Sequence, residues 1–214
     1  MKEIDLKGIS YIQPLRWGTS EWYYGMDYPY GDLYEAEELF RDGRPLDKYQ
    51  HLYFVHYPDG EVICPLELQG SMAFGEPVYC DQSIAFPVVD FAGGIINIYS
   101  FDCVKRTLDT AAELPLSSVK DCYNLLLHIK PLTLSRQPND GSLELIWPER
   151  KLIKTGERET FFLREGGRLY FSNWYEDPDY REEIIVRSAE SGEILEQMPG
   201  DIMVMPDGQL WHIK

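Results

Sequence analysis

The chain contains the stretch Trp174-Tyr175-Glu176-Asp177-Pro178-Asp179-Tyr180. An earlier stretch, Trp22-Tyr23-Tyr24-Gly25-Met26-Asp27-Tyr28, carries Trp, Tyr, Asp and Tyr at the same four offsets. Each stretch is followed by an acidic segment that resembles a strand, and then by a Pro-Asp-Gly turn at residues 58–60 or 206–208. We interpret the pattern as an internal duplication, of about residues 20–66 and 172–213, within a single domain spanning residues 1–214.

Tight-turn signals divide the rest of the chain into short strands. Asp-Gly and Gly-Gly pairs supply the backbone conformation that two-residue hairpin turns need. They separate strand-like runs at residues 51–56 and 61–64, 160–163 and 168–171, and 201–205 and 209–213. Further strand-like runs lie at residues 94–101, 107–114, 182–187 and 193–195. Since two hairpins in series make a four-stranded meander, we predict an all-β fold of repeated four-stranded antiparallel meanders.

In this organisation the chain resembles the β-propellers, whose four-stranded blades of about 40–50 residues repeat around an axis. The resemblance concerns architecture, because the Trp-Asp dipeptide that closes blades of one propeller family does not occur. It implies a small or irregular β-propeller, and the alternative is a two-sheet β-sandwich. A closed propeller would also join the C-terminal hairpin, with Leu210 and Trp211, to the N-terminal strands in one sheet.

One segment of the first copy fits either a helix or a strand. Asp32-Leu33-Tyr34-Glu35 has the form of a helix capping box, and Leu33, Ala36 and Phe40 have helical spacing. The second copy carries Ile184-Ile185-Val186 in the corresponding segment, and these residues prefer strands. Because of the duplication we predict a strand. Residues 116–123 fit a short helical turn.

Composition excludes several classes of function. Asp and Glu total 36 against 20 Lys and Arg, which gives a formal net charge of −16. A field of this sign repels phosphate groups, so nucleic acids and anionic membranes are not expected partners. The start of the chain has no apolar run, and the four cysteines are irregularly spaced, so we expect a cytoplasmic protein with free thiols.

The duplicated aromatic and acidic residues are the best candidates for a binding site. Stacked rings beside carboxylates suit sugars, cationic groups or protein surfaces. The candidate ligand-binding residues are Trp22, Asp27, Tyr28, Trp174, Asp179 and Tyr180. The competing interpretation is that these aromatic rings fill the core and the aspartates cap turns.

No motif in the sequence specifies an enzyme. The chain lacks a phosphate-binding glycine loop, a His-Glu-x-x-His motif and a Cys/His spacing for zinc. We therefore predict no cofactor, no metal and no assigned catalytic residue. The favoured function is an intracellular protein-binding module, in one form an acidic inhibitor of a basic protein. One alternative is a carbohydrate- or small-molecule-binding protein or a glycoside hydrolase, which an aromatic pocket with facing carboxylates would distinguish. The other alternative is a structural assembly unit.

Overall fold

The computed structural model describes residues 1–15, 18–44, 46, 48–177 and 179–214, so that Pro178 of the second aromatic stretch lies outside the described residues. The chain forms two compact units, Met1–Cys122 and Tyr123–Lys214. Strands account for 51% of the residues and helix for 6%, which confirms the all-β prediction. No helix in these ranges has the length and apolar character that crossing a membrane requires.

The first unit contains two antiparallel sheets and one α-helix. The first sheet contains β1 Gln13–Pro14, β2 Trp22–Met26, β3 Tyr49–His56, β4 Val62–Ile63 and β5 Glu67–Gln69. Its strands lie in the order β1-β2-β3-β4, and β5 also pairs with β3. The second sheet contains β6 Met72–Phe74, β7 Val78–Cys80, β8 Ser83–Asp90, β9 Ile95–Asp102 and β10 Thr107–Pro115. Its strands lie in the order β10-β9-β8-β6, and β7 also pairs with β8. A 3₁₀ turn at Leu116–Ser118 matches the predicted helical turn.

The second unit consists of two four-stranded sheets and a terminal hairpin. The four-stranded sheets contain β11 Leu125–His128, β12 Thr133–Arg136, β13 Ser142–Trp147 and β14 Lys151–Lys154, and β15 Glu159–Glu165, β16 Arg168–Tyr175, β17 Arg181–Ser188 and β18 Ile194–Pro199. Each sheet follows chain order, so the predicted four-stranded meanders are confirmed. Four-stranded antiparallel meanders are also the repeating unit of the propeller architecture that the sequence suggests.

Each unit has an apolar core built from the inward faces of its strands. In the first unit Phe54 packs against Phe86 and Phe101, with ring centroids 5.9 and 5.6 Å apart. In the second unit Leu169 and Phe171 of β16 are almost fully buried and alternate with the partly exposed Tyr170 and Ser172. Such side chains each contribute roughly 1.5–3 kcal/mol on burial, and this holds the sheets together.

The strand prediction for residues 33–40 is wrong, because Leu33–Arg41 forms helix α1. The Asp32 carboxylate accepts hydrogen bonds from the backbone amides of Tyr34 and Glu35, both at 3.0 Å, and caps the helix. The helix buries Leu33, Ala36, Glu37 and Leu39. Local capping therefore outweighs the analogy with the β-branched residues of β17.

The predicted sheet joining both ends of the chain is also wrong. The last strands, β19 Asp201–Val204 and β20 Leu210–Ile213, pair only with each other among the described residues, in a two-stranded sheet. Strand β1 pairs with β2 instead. Ile202 of this hairpin packs against Ile184 and Val186, so its apolar face is buried within the second unit.

Candidate functional site

A tyrosine-rich cleft of about 750 Å³ lies in the first unit. Three parts of the chain form its walls: residues 8–13, the end of β2 with the turn that follows it, and Glu76. Its side chains include Ile9, Tyr11, Gln13, Tyr24, Met26, Asp27, Tyr28, Tyr30 and Glu76. We call this surface the tyrosine cleft.

Gly25 allows the N-terminal segment to form one wall of the cleft. A Cβ atom at this position would lie 2.8 Å from the Tyr11 carbonyl oxygen and 3.1 Å from Cγ2 of Ile9. Both distances are too short for ordinary packing, so only glycine accommodates the close approach of the two segments. On the same wall, the Gln13 amide donates a hydrogen bond to the Tyr24 hydroxyl, which ties the segment to β2.

The turn at residues 28–31 presents two tyrosine rings at the cleft. The Tyr30 amide donates to the Asp27 carbonyl at 2.9 Å, and Gly31 has a φ of +91°. The rings of Tyr28 and Tyr30 meet edge to face with centroids 5.7 Å apart. The Tyr28 hydroxyl donates to Oε1 of Glu35 at 2.5 Å, and this bond raises the pKa of Tyr28. Tyr28 therefore remains protonated at neutral pH, and its ring is held in place.

Three of the tyrosines in the cleft are exposed to solvent. The exposed fractions are 69% for Tyr11, 47% for Tyr28 and 63% for Tyr30. A single exposed aromatic ring needs no explanation, whereas three exposed rings in the lining of one concavity concentrate apolar surface with polar tips at one place. Aromatic surfaces of this kind are typical of binding sites, because a rigid ring offers contact area at low entropic cost.

Asp27 adds a fixed negative charge to the wall of the cleft. Its Oδ2 atom accepts from the backbone amide of His51 at 2.9 Å and lies 2.8 Å from Nδ1 of the same residue. Nε2 of His51 lies 3.2 Å from the carboxylate of Glu67 on β5. The imidazole thus connects two carboxylates across neighbouring strands and fixes the orientation of Asp27.

The structure separates the six residues singled out from the sequence. Asp27 and Tyr28 lie in the tyrosine cleft, whereas Trp22 is buried with its ring 4.7 Å from that of His56. The other three belong to the second unit, where Trp174 lines a separate cleft. Asp179 and Tyr180 are exposed outside that cleft's lining.

Sequence reasoning missed Tyr11, Tyr30 and Glu76 as residues of the cleft. Tyr30 could have been found from its neighbours, because Tyr28-Pro29-Tyr30-Gly31 has a turn composition and turns project their side chains. Tyr11 and Glu76 are distant from this turn in sequence, and no local signal connects them to it.

The thiols and the clusters of acidic residues have partners and environments of their own in the described part of the chain. Burial raises the pKa of Cys103 to about 12, and it also raises the pKa values of Cys64 and Cys122, so these thiols stay protonated. His56, Asp59 and Glu61 form the one group of potential metal ligands among the described residues. His56 and Asp59 are already hydrogen-bonded to each other at 2.8 Å, and Glu61 pairs with Arg106 at 2.5 Å.

Comparison with known proteins gives structural likeness alone. No family model and no curated protein matches the sequence. A chain of the solved structure titled "Crystal Structure of Mitotic Checkpoint Complex" matches at 12% identity with a TM-score of 0.48, over 91% of this chain and 54% of that one. TolB from Acinetobacter baumannii matches at 12% identity with a TM-score of 0.46, over 96% of this chain and 45% of that one. This protein spans about half the length of these two chains, and no functional conclusion follows from them.

Proposed function

We propose that this protein is a protein-binding module whose tyrosine cleft holds a basic segment of a partner protein. The observation that carries the proposal is the grouping of Tyr11, Tyr28 and Tyr30 around one concave surface. Tyrosine is among the residues that dominate binding energy at protein interfaces, since its ring buries a large area and its hydroxyl keeps a hydrogen bond.

The charges of the cleft indicate the chemistry of the segment that it binds. Asp27 and Glu76 lie in its wall, and Glu35 contacts Tyr28 at its edge. Within the described ranges no lysine or arginine lines the cleft. The whole chain has a net charge of −16, which attracts a basic partner over distances of about 8–10 Å at physiological salt. A lysine or arginine side chain would meet both the carboxylates and the faces of the tyrosine rings.

The experiment is selection of short peptides from a displayed random library, followed by fluorescence anisotropy with the selected sequence. We expect the selected peptides to be enriched in Lys and Arg and to bind less tightly as salt rises. Tyr30→Ala should weaken binding about tenfold or more, the effect of losing roughly 1.4 kcal/mol or more of interface energy.

Tyr180→Ala is the matched control, because Tyr180 is 67% exposed but lies outside the tyrosine cleft. Binding that Tyr180→Ala weakens as much as Tyr30→Ala would contradict the assignment of the site. Selected peptides that are acidic or uncharged would contradict the proposed chemistry of the partner.

A further inference from the structure

A second cleft, of about 360 Å³, lies within the second unit at the ends of three strands. Its walls come from Asn124, the segments that follow β12 and β14, the start of β15, and the end of β16 with the residues after it. They include Asn139, Thr155, Glu157, Arg158, Trp174 and Asp177. None of the tyrosine-cleft residues belongs to this unit, so the second cleft can be tested independently of the proposed function.

The loops around the second cleft are fixed by buried polar contacts. The Gln137 side-chain amide donates to the Glu159 carbonyl at 2.6 Å and accepts from the Phe161 amide at 2.7 Å. The Glu159 side chain is 6% exposed, and its carboxylate binds Arg187 through two hydrogen bonds of 2.7 and 2.8 Å. A Cβ atom at Gly156 would lie 2.9 Å from this carboxylate, so the loop packs directly on it. The site is therefore preformed, which lowers the entropic cost of binding.

Thr155 lines the second cleft and carries an unsatisfied polar atom. The residue is 8% exposed, and its Oγ1 atom has no hydrogen-bond partner among the described residues. A buried hydroxyl without a partner costs about 1–3 kcal/mol, and proteins rarely retain one without a reason. The Oγ1 atom has almost no accessible surface, so it lies behind the wall of the cleft and is not a contact atom for a bound molecule.

Trp174 provides a flat apolar surface at the same cleft, and the charges around it have both signs. Its side chain is 46% exposed at the seventh residue of β16. Glu157, Glu176 and Asp177 offer acceptors in the lining, while Arg158 offers donors and places its guanidinium 5.2 Å from the centre of the Tyr175 ring. The carboxylates outnumber the arginine and oppose an anionic ligand. A neutral ligand that both donates and accepts hydrogen bonds meets all of these groups.

We propose that the second cleft binds a neutral carbohydrate. A sugar ring has an apolar face of C–H groups that can lie on Trp174, and its hydroxyls can bond the carboxylates and Arg158 around the edge. Few ligand classes combine a flat apolar face with a rim of paired donors and acceptors, and this combination matches the lining. The site is a binding site, without a bond-breaking step.

The test is titration of the full chain with cellotriose, maltotriose and chitotriose, each to millimolar concentration, by NMR and isothermal titration calorimetry. We expect saturable binding of at least one trisaccharide and a loss of affinity of at least about tenfold in Trp174→Ala. Trp211→Ala is the matched control, because Trp211 is 50% exposed in the same unit and does not line the cleft. It should bind as the wild type does.

Thr155→Val replaces the buried hydroxyl by a methyl group of similar size. We expect an unfolding midpoint equal to or above that of the wild type, because the lost hydroxyl has no partner among the described residues, and sugar binding like that of the wild type, because the atom is not accessible to a ligand. Absence of saturable binding to all three sugars would overturn the proposal. An equal loss in Trp174→Ala and Trp211→Ala, or tighter binding of spermidine than of any of the sugars, would overturn it as well.

Discussion

The buried pair of Glu159 and Arg187 gives a sharp test of how the second unit is held together. Nη2 and Nε of Arg187 donate to the two carboxylate oxygens of Glu159, and Nη1 donates to the Gly192 carbonyl at 2.8 Å. The side chains are 12% and 6% exposed for Arg187 and Glu159, respectively. Arg187→Met preserves much of the apolar stem, removes all three donors and leaves the carboxylate buried without its counter-charge.

The expected loss follows from this burial. Removing one partner of a buried ion pair costs about 3–5 kcal/mol, because the remaining charge is neither solvated nor paired. The pair of Arg168 and Glu196 is the matched control, with a distance of 2.6 Å and side chains 47% and 43% exposed. An exposed pair contributes at most about 1 kcal/mol. Arg168→Met should therefore be nearly neutral, although the contact is at least as short.

The assay is urea unfolding followed by far-ultraviolet circular dichroism, with the free energy of unfolding taken from the midpoints and slopes. The double substitution Glu159→Met with Arg187→Met should recover most of the loss, since no charge then remains buried. An Arg187→Met protein within about 1 kcal/mol of the wild type would refute the reasoning, since that is the loss expected of a solvated pair. A loss equal to that of Arg168→Met would do the same.

Three further predictions concern the folded chain. Burial lowers the pKa of His128 from 6.5 to about 4. On acidification the imidazole is therefore protonated at a higher pH in the unfolded chain than in the folded one. The free energy of unfolding should fall by about 3 kcal/mol between pH 7 and 4 as a result. His128→Gln should lack this part of the pH dependence in urea titrations, and an unchanged profile would exclude the mechanism. Gly25→Ala should lower the free energy of unfolding by about 1–3 kcal/mol and weaken peptide binding, because the new Cβ would collide with residues 9–11. Gly167→Ala is the control, since a Cβ there meets open space, and it should change neither the stability nor the binding. Asp32→Ala should lower the free energy of unfolding by about 1 kcal/mol, because the helix loses its N-cap. Asp32→Asn should lower it by only about a few tenths of a kcal/mol, since asparagine also caps helices. Equal losses in the two variants would argue against capping.

The hairpins could be predicted from the sequence because their determinants are local. Asp59-Gly60 sets the turn that aligns Phe54 with Ile63, and Gly166-Gly167 joins β15 to β16 in the same way. The helix at Leu33–Arg41 is also encoded locally, by Asp32, and this signal determines the structure although the corresponding segment of the second stretch forms a strand. The single domain with an internal duplication remains a prediction.

The candidate site was only partly predictable, because the same residue type has different environments in the two stretches. Trp22 begins β2 opposite His56 and is buried, whereas Trp174 lies near the end of β16 and is half exposed. Sequence spacing contains no information on which strand end meets solvent. Asp27 and Tyr28 were identified, but Tyr11 joins them only through the close packing that Gly25 permits.

The most direct test of the proposed function is NMR chemical-shift mapping of the full chain with a basic peptide selected from the displayed library. The proposal predicts that the largest shift changes occur at residues 8–13, 25–31 and 76, and that they disappear in Tyr30→Ala. Shift changes centred on Trp174, or on residues in neither cleft, would contradict the assignment of the tyrosine cleft as the protein-binding surface.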